Sequence, residues 1–112
     1  MSLGYVVRPS ADRDLDDIAD FLAEQGGLEI GLEFLSEVYE TFGLLASQNE
    51  LGWPCRIPHP LLARTRVFRV SERFQKYLIF YRSTEGQVEM IRVLHGAQDL
   101  WALFEREGVE LE

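Results

Sequence analysis

The chain has 112 residues, 46% of them hydrophobic and 12% aromatic, with a formal net charge of −8; that length serves one modest core, and that composition belongs to a folded domain rather than a disordered one. No apolar run approaches the length of a membrane span, and no charged n-region leads into an apolar h-region, so a cytoplasmic protein without a membrane partner is expected. Cys55 is the single cysteine, and His59 and His95 are the two histidines, which leaves no intrachain disulfide, no cysteine-based zinc site and no expected cofactor or metal.

Charge is divided along the chain. Residues 10–52 hold eleven acids and one base, whereas residues 53–99 hold eight bases and four acids. Overall acidity argues against nonspecific nucleic-acid binding as the main business, because such binding rests on phosphate neutralisation. A local basic face is left open, and the acidic half reads as solvated helix faces.

Met1 to Gly4 is set aside as a leader. Tyr5-Val6-Val7-Arg8 reads as a short strand that Pro9 ends, since proline removes a ladder donor. Ser10 is the expected N-cap of a first helix, with Asp12 and Asp14 in the turn that follows, where the helix dipole favours negative charge. Leu15, Ile18, Ala19 and Leu22 follow the i, i+3, i+4, i+7 rule and turn Asp16, Asp17, Asp20 and Glu24 to water. Gly26-Gly27 stops the helix.

A second helix is expected from about Glu29 to Ala46. Leu35, Val38, Phe42 and Leu45 form its buried stripe, widened by Ile30 and Phe34, while Glu33, Glu37 and Glu40 point outward. The short link makes the two helices an antiparallel hairpin laid on a sheet. Gly43 costs roughly 1 kcal/mol relative to Ala inside a helix, so it is expected where close packing requires it. Residues 48–63, punctuated by Gly52, Pro54, Pro58 and Pro60, read as a loop too interrupted for a strand, pinned to the core by Trp53 and Leu61-Leu62.

Three strands follow. Arg66 to Ser71, Lys76 to Arg82 and Gln87 to His95 are runs rich in β-branched and aromatic residues, and Thr84-Glu85-Gly86 supplies the glycine that a tight hairpin needs at positive φ. The middle run is apolar on both sides, so the sheet must be covered twice: by the helix hairpin and by the proline loop, the terminal turn Leu100 to Phe104, or a partner. The fold class is therefore α+β in β-α-α-β-β-β order, an N-terminal strand and helix hairpin followed by an antiparallel meander and a short C-terminal helical turn. Residues 1–112 form one domain, with 107–112 a mobile tail.

Lys76-Tyr77-Leu78-Ile79-Phe80-Tyr81-Arg82, followed by Ile91-Arg92-Val93-Leu94-His95-Gly96-Ala97-Gln98-Asp99, resembles the signature of the ParE branch of the ParE/RelE toxin superfamily. The likeness extends backward through Leu51-Gly52, His59-Pro60 and Arg66 to Val70, and more loosely through both helices. Gln98 stands where the family usually has Arg, and Arg69 where many members have Pro. The resemblance implies a toxin of a type II toxin-antitoxin system that binds and poisons DNA gyrase, has no recognised active site and is neutralised by a cognate antitoxin, as a homodimer or a toxin-antitoxin hetero-oligomer. A sheet with an open edge and spare apolar surface is also a template for an added strand or amphipathic helix.

A poison that grips its target needs a rigid, locally positive surface, for which Arg66, Arg69, Arg73, Lys76 and Arg82 are the candidates; the competing role for them is to screen the acidic helices through exposed ion pairs. Arg92, between apolar neighbours, is expected to be structural and to pair with Asp99. The alternative function is that of a RelE-like, ribosome-dependent mRNA endonuclease, which needs a base, an acid and cations around the developing phosphorane charge. Arg66, Arg82 and His95 would then be catalytic, with Tyr81 and Glu89 as further proton carriers. A non-toxic, degenerate binding module is the third reading.

Overall fold

A computed structural model describes residues 4–58, 60–97 and 102–103, the side chain of residue 61 excepted. Strand β1 (Gly4–Val7) leads into helices α1 (Pro9–Gly26) and α2 (Leu28–Ser47), and the two-residue strand β2 (Trp53–Pro54) and a 3-10 turn (Pro60–Leu62) precede β3 (Arg66–Arg69), β4 (Tyr77–Thr84) and β5 (Gln87–His95). The sheet order is β1-β5-β4-β3-β2. The expected meander is present, with β3, β4 and β5 antiparallel. β1 joins it in parallel along β5, so the sheet is mixed.

Proline decides how α1 begins. Pro9 occupies the first helical turn with its φ already set, and Arg8 before it is extended at φ −66°, ψ 153° and makes no side-chain cap. Ser10 is therefore not the N-cap; it is buried inside the first turn. The expected stripe is otherwise in place, with Leu15 and Ala19 buried and Ile18 and Leu22 packed against the core. Gly4 belongs to β1, opposite Gln87, rather than to a leader; residues 1–3 lie outside the described chain.

On α2 the buried stripe is Phe34, Val38, Phe42 and Leu45. Burying side chains of that size contributes roughly 1.5–3 kcal/mol each. The close helix crossing runs through Gly31, where an added Cβ would sit 2.7 Å from the Ala19 carbonyl oxygen. Gly43 is exposed with nothing within 4 Å of such a Cβ, so no packing requires it.

Both faces of β4 are buried, as its sequence demands. Ile79 and Tyr81 enter the core under the helices with Val70, Val88, Met90 and Val93. Phe80 enters a second core with Leu62, Val67, Ile91, Leu94 and Leu103, against which Cys55 and Ile57 pack. The proline loop and Leu103 thus cover the far face. A bulge makes this arrangement possible: the register steps from Phe80↔Arg92 to Tyr81↔Met90, so Ile91 is extra and turns to the far side beside Phe80.

Three expectations need correction in detail. The loop does contain a strand, because Trp53 and Pro54 pair with Val67 and Arg66; proline is tolerated there because β2 is the edge of the sheet. Trp53 is 46% exposed and lies 6.3 Å from the Phe68 ring, on the rim rather than in the core. β3 ends at Arg69 and β4 runs on to Thr84, where Glu85-Gly86, with Gly86 at φ +86°, closes a two-residue hairpin onto Gln87. Of the terminal turn, Ala102 and Leu103 are helical; its other residues and the tail lie outside the described residues.

Two glycine replacements separate these effects. Gly43→Ala is expected to raise the unfolding free energy by about 1 kcal/mol, and Gly31→Ala to lower it by about 1–3 kcal/mol through overpacking; urea unfolding of both variants checks the opposite signs.

Candidate binding surface and the residues weighed for catalysis

The five cations expected to form one face are distributed over several sides of the sheet. Arg66, opposite Tyr81 on β3, donates through Nη1 to the Gly52 carbonyl oxygen. Arg69, opposite Leu78 on the far face, places its guanidinium carbon 5.3 Å from the Phe68 ring centroid. Arg73 in the following turn donates to Glu33 on α2, with Glu37 at 3.9 Å, so this arginine screens the acidic helices. Lys76 is exposed where β4 begins. Arg82 donates through Nε to Glu89 Oε1 at 2.8 Å across the β4–β5 hairpin.

The residues weighed for RNA cleavage are also apart. Arg82 lies opposite Glu89, and His95 opposite Tyr77, at the other end of the same ladder; five strand positions separate them, roughly 17 Å at about 3.4 Å per residue. His95 Nδ1 accepts the Ala97 N–H at 3.0 Å, and the ring meets Tyr77 edge-on at 5.0 Å. Tyr81 is wholly buried: its hydroxyl donates to the Asn49 carbonyl at 2.7 Å and accepts the Gly52 N–H at 2.9 Å. Burial pushes this phenol above its usual pKa, against smaller lowering effects from Gly52 and Arg66. Both lone-pair and proton roles of that hydroxyl are thus spent on holding the loop.

Gly52 is what lets the loop come so close. A Cβ there would lie 2.5 Å from the Tyr81 hydroxyl oxygen and 2.8 Å from the Val67 carbonyl. The result is a tie between the end of α2 and the β3–β4 pair, made by Tyr81, Gly52 and Arg66. Among the described residues no three carboxylate, imidazole or thiol groups converge as a metal site would need. Burial raises the pKa of the Cys55 thiol, which lowers its thiolate fraction.

Asp14 has a role that the sequence reading did not assign. It lies beyond the first turn of α1, and its carboxylate accepts the Arg92 Nε–H at 2.8 Å, the Arg92 Nη2–H at 3.0 Å and the Val93 backbone N–H at 2.9 Å. β1 pairs with β5 only as far as Met90, so Asp14 covers the edge of β5 where β1 no longer does. Arg92 is structural, as expected; Asp99, its expected partner, lies outside the described residues. Asp14, Arg92, His95, Tyr77 and Phe21 also line an open groove of about 430 Å³ between α1 and β5.

The chain matches the family model described as the ParE toxin of the type II toxin-antitoxin system parDE over residues 5–100. It belongs to the ParE toxin family. Toxin ParE1 of Mycobacterium tuberculosis, in strains CDC 1551 and H37Rv, is 26% identical over 101 residues, which span 89% of this chain and 96% of that protein. A solved structure described as the chromosomal ParDE TA system from P. aeruginosa aligns with a TM-score of 0.70 at 20% identity, covering 84% of this chain and 96% of that one. At that identity the likeness is one of fold.

Two replacements test the locks. Tyr81→Phe leaves a buried N–H and a carbonyl without their partner and is expected to cost about 1–3 kcal/mol. Asp14→Asn bears on pH. Burial raises the Asp14 pKa above 3.8, with Arg92 and the Val93 N–H opposing, so the native state holds the proton more tightly than the unfolded chain does. The resulting stabilisation is fully present below pH 3.8 and declines as pH rises through the raised native value. The stability of wild type relative to Asp14→Asn is therefore expected to increase as pH falls through that window, measured by unfolding at a series of pH values.

Proposed function

We propose that this ParE toxin arrests growth by binding DNA gyrase and stabilising its cleaved DNA complex, and that a cognate antitoxin neutralises it. The observation that carries this reading is the family match from residue 5 to residue 100, taken with a scaffold whose candidate proton carriers are already committed to other contacts. Tyr81 holds a loop, Glu89 an arginine and His95 a backbone amide. A gripping protein needs rigidity, and the two cores on either side of β4 supply it.

The antitoxin reading has its own support. Leu28, Leu32 and Tyr39 are 70%, 56% and 42% exposed along α2, spaced so that they share one helix face. Large apolar side chains grouped on one helix face are a surface that a partner can dry. A partner segment that folds as it binds would cover them.

Purified protein is expected to convert supercoiling by gyrase into accumulation of cleaved, enzyme-bound DNA, and to leave DNA intact without gyrase. His95→Asn is expected to keep that activity. No inhibition and no cleaved complex at a large molar excess would contradict the gyrase reading, and cutting of translated messages by the same preparation would favour the nuclease.

A further inference from the structure

One face of α1 looks across a groove toward the second half of β5. Asp14, Asp17, Ile18 and Phe21 follow the i, i+3, i+4, i+7 spacing that sets side chains on one side of a helix. All four line the groove of about 430 Å³, and Tyr77, Arg92 and His95 line it with them. Phe21 is 52% exposed there, and Asp17, on the same face, is exposed as well.

The groove carries one carboxylate more than its own cations neutralise. Its guanidinium, that of Arg92, is held by Asp14 through two hydrogen bonds. His95 Nδ1 accepts the Ala97 N–H, and an imidazole that accepts through Nδ1 carries no charge. Asp17 is left with no ion pair among the described residues. Burial is the main reason that Asp14 titrates high, and the Asp17 charge adds to it, so the second carboxylate is close enough for the first to feel. A cation seated at Asp17 offsets that repulsion.

We propose that this groove takes an arginine or lysine side chain of the antitoxin, its cationic head on the Asp17 carboxylate and its stem against Phe21 and Tyr77. Residues four apart on a helix have Cβ atoms about 5–6 Å from each other, so one cationic head can lie over the Phe21 ring and donate to Asp17 together. Ile18 and the Tyr77 ring add apolar surface for the methylenes, which these side chains bury while the head stays in polar surroundings. A neutral or acidic side chain gains nothing from Asp17.

Charge also selects the source. Asp12, Asp16, Asp17, Asp20 and Glu24 make α1 strongly negative, so the phosphates of gyrase-held DNA repel this side of the toxin. The side turned away from the target is the one left to a neutralising partner. The site rests on the antitoxin reading for its occupant, and it adds a polar anchor on α1 to the apolar surface of Leu28, Leu32 and Tyr39 on α2.

The probe is N-acetyl-arginine amide, titrated into isotope-labelled toxin and followed at the backbone amides of Asp17, Phe21 and His95, with N-acetyl-norleucine amide as the uncharged control. The arginine amide is expected to shift these signals saturably and to bind about tenfold more tightly than the control. In the Asp17→Asn, Phe21→Ala double variant that preference is expected to vanish. Both positions are exposed, so the unfolding midpoint should stay close to that of wild type, and lost binding is then not lost fold. In the purified toxin–antitoxin complex the arginine amide is expected to leave the same signals unmoved, because the groove is filled.

Equal shifts with the norleucine amide, or undiminished binding by the double variant, would overturn the site. Arginine-amide binding that persists in the complex overturns the antitoxin side chain as occupant and leaves the antitoxin reading standing. A toxin that binds the arginine amide but forms no complex with an antitoxin removes that reading and its side chain from the groove, and keeps the cation site alone.

Discussion

Strand β4 is apolar on both of its faces, and the rest of the molecule is arranged to keep those faces dry. Ile79 and Tyr81 on one side and Phe80 on the other are all at most 1% exposed. A single helix hairpin can cover one side only, so the chain needs a second layer, and the proline loop with Leu103 provides it. The bulge at Ile91 belongs to the same requirement. It lets β5 supply Met90 to the helix side and both Ile91 and Leu94 to the far side, which strict alternation would not allow.

Where covering elements end, polar side chains take over. β1 stops pairing at Met90, and Asp14 from α1 receives the next amide that needs a partner, that of Val93, together with the Arg92 guanidinium. At the opposite edge, the α2–β2 loop is drawn onto the sheet by the Tyr81 hydroxyl and by Arg66. These contacts use side chains that a functional reading would otherwise claim. The acids of the helices face water or the arginines of the sheet, as Glu33 and Arg73 do, and the negative and positive halves of the sequence become opposed layers.

Local pattern made most of the architecture legible. The helix stripes obeyed their period, the Glu85-Gly86 turn used the one residue type suited to its φ, and the need for a second cover followed from Tyr77 to Tyr81 being apolar on both faces. What local pattern does not contain is the partner across the sheet. Trp53-Pro54 pairs because β3 offers it an edge, and Asp14 reaches Arg92 across 78 positions of sequence; neither is visible in a window of neighbouring residues. Ser10 fits the N-cap preference, yet the helix starts at Pro9 with Arg8 at the cap position, two residues earlier. The four arginines and one lysine grouped by nearness in sequence are split between the two faces and the turns of the sheet.

On the proposed reading the scaffold acts by fitting a surface to another macromolecule rather than by turning over a substrate. Stoichiometry distinguishes the two. Gyrase supercoiling rates measured at fixed enzyme against increasing toxin should fall in proportion to the ratio of toxin to gyrase and recover when toxin is removed. Complete, time-dependent inactivation by a small fraction of one toxin per gyrase would mean that the toxin turns over, and would contradict the account.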